Sequence, residues 1–116
     1  MGTVPNIPGF AVTPFEGVSG ASINLACGAV TNRAAVLPTP LENANLKLRQ
    51  VRIANTSLDT DIFIAWGDVT VVATTATGMA VPHGDVEIIT IGAATHIAGI
   101  TAGGIATLNI TPGGGV

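Results

Sequence analysis

Apolar and polar residues alternate along this chain in runs of about four to eight residues, broken by clusters of Gly, Pro, Asn, Asp and Ser, which predicts short strands and turns. The stretch from Leu46 to Gly67 (LKLRQVRIANTSLDTDIFIAWG) is the one around which the rest is organised. Leu46 and Leu48, then Val51 and Ile53, are apolar, with Lys47, Arg49 and Arg52 between them. The phase slips between Leu48 and Val51, and a β-bulge near Arg49 and Gln50 accounts for the slip, because one extra residue returns the apolar side chains to one face. Asn55 to Asp61 carries turn chemistry, since Asn, Ser and Asp side chains bond their own backbone. Ile62 to Trp66 is apolar on both faces, as in a strand covered on both sides, and Trp66 is the expected core anchor, closed off by Gly67.

Upstream, residues 1–15 hold Pro5, Pro8 and Pro14 among Val4, Ile7, Phe10, Val12 and Phe15. Proline at that density forbids helix and predicts an extended arm with at most an edge strand from Phe10 to Thr13. Its apolar anchors, Val4, Pro5, Ile7, Pro8, Phe10 and Phe15, are the expected contacts with a partner. Ser22 to Ala26 alternates as a short strand, and Arg33 to Leu37 reads as another, stopped by Pro38 and Pro40. Leu41 to Ala44 follows as one helical turn with Pro40 at its first position.

Downstream, Asp68 to Thr74 and Gly78 to Pro82 read as short strands, and Pro82-His83-Gly84-Asp85 as a reversal. Val86 to Ile91 is rich in β-branched residues and is expected to be a buried strand. Thr95 to Ile100 and Ile105 to Thr111 read as a hairpin with a four-residue loop, Thr101 to Gly104, before a Gly-rich tail from Pro112 to Val116. About eight or nine short strands at this spacing predict an all-β, single-domain β-sandwich, jelly-roll or immunoglobulin-like, over residues 16–116, with residues 1–15 as an extended N-terminal arm.

Composition adds an expectation about surroundings. Charged residues are 9% of the 116, against about 25% in ordinary soluble domains, and mean hydropathy is +0.59. So few charges cannot cover a dispersed monomer, so much of the outside is expected to be buried in an assembly, a homo-oligomer included. The alternative is a surface of Thr, Ser, Asn and Gly. Lys47, Arg33, Arg49 and Arg52 are the only basic side chains and net charge is −3, so no basic stripe exists for nucleic acid. No apolar run approaches the ~18 residues of a spanning helix, and the start, MGTVPNIPGF, has neither a basic nor an apolar leader region. The expectation is a chain without a membrane partner that stays in the cytoplasm where it is made.

The candidate chemistry is thin. His83 and His96 are the only histidines and lack the spacing that clamps a metal. Asp59-Thr60-Asp61 resembles part of a calcium loop but lacks the Gly and the distal Glu. Glu16, Glu42, Asp68, Asp85 and Glu87 are scattered, so no pair stands out for acid and base work. Ser19, Ser22 and Ser57 lack a nucleophile-elbow frame. Cys27, the single cysteine, reads as a small buried hydrophobe. These readings assign no catalytic residue, no metal and no cofactor, and the chain is not expected to be an enzyme.

The blocks VRIAN, FIAWG, GMAVPHGDVEIITI, ATHIAG and ATLNITPGGG, in that order over roughly residues 46–115, resemble a pattern found in small virion proteins of tailed bacteriophages. The resemblance is to the head-decoration, or cement, type. It implies a small β-sandwich that binds the outer surface of the assembled head as a dimer or trimer and clamps neighbouring copies of the major capsid protein. It implies no catalytic residue. Similar modules occur in head fibres and tail-associated proteins, where the expected role is binding a glycan or receptor.

Overall fold

A computed structural model describes residues 15–36 and 48–115. Nine strands are present among them and no helix: β1 (Glu16–Gly17), β2 (Ile23–Cys27), β3 (Asn32–Ala35), β4 (Leu48–Asn55), β5 (Ile62–Gly67), β6 (Met79–Val81), β7 (Val86–Thr90), β8 (His96–Ile100) and β9 (Ala106–Gly115). They form two antiparallel sheets. In the first, β9 carries β2 and then β1 on one side and β4 on the other, with β7 beyond β4; in the second the order is β3-β8-β5-β6. From β2 onward every connection changes sheet except that between β5 and β6.

The alternation noted in the sequence sets the core. Val51 and Ile53 of β4, Leu108 and Ile110 of β9, Leu25 and Cys27 of β2, Ile62 and Ile64 of β5, and Ile97 of β8 are all buried in one cluster drawn from both sheets. Where the sheets come closest, Gly99 of β8 faces Cys27: a Cβ on Gly99 would lie 2.6 Å from the Cys27 sulfur. Beside Arg52, Val86 and Ile88, the outer face of the first sheet carries uncharged polar pairs. Ser22 and Thr111 hydroxyls meet at 2.7 Å, Asn109 donates to Asn24 at 2.9 Å, and Gln50 donates to Thr90 at 3.2 Å. Cross-strand amide and hydroxyl pairs therefore stand where most proteins put charges.

Several expectations are corrected. β4 pairs with β9 in unbroken register from Leu48↔Gly115 to Asn55↔Leu108, so there is no bulge near Arg49 and Gln50. Residues 68–74 form no strand, because the Asp68 carboxylate accepts from the Thr70 amide at 2.8 Å and its hydroxyl at 2.6 Å and turns the chain. The chain then folds back over the outer face of the second sheet. The Ala73 amide donates to the Thr31 hydroxyl at 2.9 Å, and Cβ atoms built on Gly67 and Gly78 would meet Val71 at 3.4 Å and Phe63 at 2.9 Å.

β8 and β9 are not a hairpin; they lie in different sheets, and residues 101–105 cross between them. The Gly-rich tail continues β9 to Gly115. Pro112 is tolerated there because it stands opposite Val18 just past β1: its carbonyl accepts from the Val18 amide at 2.9 Å, while the Val18 carbonyl, which an N–H at 112 would meet, accepts from the Ala21 amide at 3.2 Å. β7 is an edge strand, with Val86 and Ile88 each 49% exposed, and not a buried one.

Trp66 is also corrected. It is in phase with Ile62 and Ile64 and opposite Ile97, yet it is 37% exposed and is not the core anchor. The row of core side chains on β5 runs out one position before it, and isoleucines fill the centre instead. Of the expected arm contacts, Val4, Pro5, Ile7, Pro8 and Phe10 lie outside the described residues, as do the expected Phe10–Thr13 edge strand and Leu41–Ala44 turn. Phe15 is half-buried with its ring over Gly17 and Gly113 of its own sheet.

Candidate interaction surface

Asp61 accepts from the His83 amide at 3.0 Å and lies 2.8 Å from the ring Nδ1. The amide first and the ring second hold the carboxyl below its usual range. Both side chains are half-exposed, and the pair fastens two loops. His96 Nδ1 meets only its neighbour, the Thr95 hydroxyl, at 2.8 Å. Glu87 is held above the usual carboxylate range by Asp85 beside it. Among the described residues no three of His, Cys, Asp and Glu gather as a metal would require.

Cys27 is buried, its thiol 3.6 Å from the Leu25 carbonyl, and burial pushes its pKa up to about 11. A thiol in that state is a poor nucleophile. A maleimide is expected to leave Cys27 untouched in the native protein near pH ~8 and to label it fully on unfolding. Rapid labelling of native protein would show that the seam between the sheets opens.

What the fold does build is a surface of loops. Residues 28–31, 56–61, 82–85 and 101–105 meet at one end of the two sheets. The Thr101 amide donates to the Gly28 carbonyl at 2.8 Å, a Cβ on Gly104 would lie 3.5 Å from the Thr60 hydroxyl, and His83 reaches Asp61 as described. The tips of three of these loops carry a large apolar side chain in solvent: Leu58 is 93% exposed, Ile105 80% and Val30 78%. Single exposed apolar residues are ordinary, but here three stand on loops that share one end of the sheets.

The tips are also held in place. Asn55 Oδ1 accepts from the Ser57 amide at 3.0 Å, and the Ser57 hydroxyl accepts from the Asp59 and Thr60 amides at 3.3 and 3.0 Å, so Leu58 stands on a closed turn. The buried Thr101 hydroxyl donates to the Gly104 carbonyl at 2.9 Å, and Gly104 takes a φ of 79°, which sets the direction of Ile105. Contacts fixed in advance lose less freedom on binding.

The opposite end is different. There β9 ends at Gly115 against Leu48, β1 brings Phe15 to the rim, and Trp66 lines an open groove with Ile64, Ala65, Thr77 and Met79. Phe15, the first described residue, therefore stands at the end away from Leu58 and Ile105.

The sequence reading did not single out Val30, Leu58 or Ile105. Their signal was there: each is a lone large apolar residue inside a stretch of turn chemistry, where burial in the core is not available. No family model matches this chain, and no curated protein or solved structure was found similar to it, so its function is argued from this geometry.

Proposed function

We propose that this chain is a bacteriophage capsid decoration protein that binds the outer surface of the assembled head and clamps neighbouring copies of the major capsid protein. The observation that carries the reading is the set of exposed apolar side chains on fixed loops at one end of the two sheets, Leu58, Ile105 and Val30; the proline-bearing stretch upstream of Phe15 is the second contact in this proposal. Of the two sandwich types expected, the jelly roll is the one the strand order favours. Strands that alternate between sheets in the orders β2-β9-β4-β7 and β3-β8-β5-β6 fit two interlocked Greek keys, an arrangement recurrent in capsid and lectin domains.

A decoration protein acts by mass action. A ligand that binds only the assembled shell stabilises it by RT ln(1 + [L]/Kd), about 2.7 kcal/mol per site at a hundred times Kd. Small, pre-set apolar contacts repeated over a lattice suffice for that, and no catalytic group is needed. The low charge of the chain fits a surface that is largely covered in the particle.

Leu58→Asp combined with Ile105→Asp tests the reading. Both side chains are in solvent, so melting temperature is expected to stay within about 1–2 °C, in keeping with the small effects of surface changes. Binding to heads stripped of the protein is expected to fall at least about tenfold. Unchanged pelleting with heads would show that this end is not the contact.

A second reading is favoured by one observation. Trp66 is partly exposed beside an open groove, and aromatic platforms are what sugar sites present. In that case the module belongs to a head fibre or tail-associated protein and binds a glycan or receptor. Quenching of Trp66 fluorescence by a glycan, with loss on Trp66→Ala, distinguishes it from the first.

A further inference from the structure

Among the described residues the two sheets have four outer edges, and three are blunted. On β2 the Ala26 carbonyl is taken by the Asn32 side chain at 2.9 Å. On β3 the Arg33 amide donates to the Asn32 side-chain Oδ1 at 3.0 Å, and the charged Arg33 itself sits on that edge. β6 is three residues long, stops at Pro82, and gives its Val81 carbonyl to Asn55 at 2.9 Å. Short length, proline, charge and side-chain caps are the devices by which proteins blunt edges.

β7 is less protected: its one charge, Glu87, lies on the row bonded to β4 and shares the face of Ile53, and its outward row carries none of these devices. Its five residues, VEIIT, contain no proline, lysine or bulge, and pair with β4 in unbroken register. The Asn55 amide donates to the Asp85 carbonyl at 3.0 Å, which fixes Asp85, Glu87 and Ile89 as the residues bonded to β4. By the alternation of an antiparallel pair, the amides and carbonyls of Val86, Ile88 and Thr90 point away from the sheet. The side chains of Val86 and Ile88, both half-exposed, flank that row on the outer face.

We infer that β7 is a seam at which a second copy of this chain adds its own β7, antiparallel about a two-fold axis at Ile88, to join the two larger sheets into one. The sequence of the strand selects this register. With Ile88 opposite Ile88 of the second copy, Val86 faces Thr90, and about six backbone hydrogen bonds form from the groups now pointing into solvent. Glu87 then faces Ile89 and no carboxylate faces another. Centring on Glu87 instead would set two carboxylates directly opposite, which is unfavourable. An isologous contact of this kind closes on itself and stops at a dimer. The inference concerns the protein in solution and does not depend on the capsid reading.

Ile88→Lys is the test, because it places two like charges at the axis while the side chain is already half in solvent. Sedimentation equilibrium of the wild type from about 1 to 300 µM is expected to show a species of twice 11.5 kDa building up with concentration, as suits a seam smaller than a standard interface. Ile88→Lys is expected to stay at 11.5 kDa across the range with an unchanged thermal midpoint. Ile88→Cys provides the second arm: paired strands bring those Cα atoms to about 5.5 Å, within disulfide reach, so mild oxidation should yield a covalent dimer. Three results overturn the inference: a wild type that stays monomeric at every concentration, a wild-type oligomer that Ile88→Lys leaves intact, or an Ile88→Cys protein that stays uncrosslinked. A monomeric wild type whose binding to heads is lost on Ile88→Lys would assign the edge to a strand from a different protein.

Discussion

Asn55→Leu is expected to lower the stability of this protein by about 3 kcal/mol, a large part of what a small domain has. Asn55 is buried at the end of β4, and its side chain is fully used. Its amide donates to the Thr60 and Val81 carbonyls, both at 2.9 Å, and its oxygen accepts from the Ser57 amide at 3.0 Å. One side chain thus joins the turn that carries Leu58, the edge strand β6 of the second sheet and the end of β4 in the first. Leucine has a similar volume but strands three backbone groups, each costing about 1–3 kcal/mol where water cannot reach. Asn55→Asp separates polarity from size. Its carboxylate would face two carbonyl oxygens, so its folded pKa is expected above the unfolded value. Its stability should then be nearest wild type in acid and fall as pH rises through that raised pKa. Urea unfolding of the three proteins across pH is the measurement. A leucine variant as stable as wild type would mean that water takes over the three bonds.

Gly99→Ala is expected to cost about 1–3 kcal/mol although it adds one methyl group. The new Cβ would stand 2.6 Å from the Cys27 sulfur, 3.4 Å from Ile62 and 3.5 Å from Leu25, at the point where the sheets touch. None of these neighbours is a free chain end that can swing away, so the strands must part or Cys27 must leave its rotamer. Pairing the change with Cys27→Ala removes the obstacle. The double variant is expected to be more stable than the sum of the two single losses, a coupling that thermal or chemical unfolding can resolve. Additive losses would place the strain elsewhere.

How much of this was legible in the sequence depends on what each residue had to reveal. Strands β2, β4 and β9 were readable because each alternates over most of its length, and alternation is the physical consequence of one face being buried, while β5 was readable as a short apolar run bounded by turn residues. The sheet to which each strand belongs was not readable. Ile100 and Ala106 are separated by a loop as short as a hairpin's, yet β8 and β9 part there, because Thr101 and Gly104 close a link that bridges the sheets. Asp68 overrode a strand-like run with two short bonds to Thr70.

Trp66 was misjudged on size: its place at the end of the row mattered more than its area. The proposed contact surface was hidden for a related reason. Val30, Leu58 and Ile105 gain meaning only once four loops distant in sequence meet at one end. Asn55 could be read as a turn former, which it is, but its grip on Val81 is a product of the fold.

The central claim is that this protein coats an assembled shell. It is tested most directly by quantitative mass spectrometry of purified virions that carry the chain, combined with an image of the particle at low resolution. Hundreds of copies distributed over the head surface are the predicted result. A few copies at the tail, or none in the particle, would contradict the account.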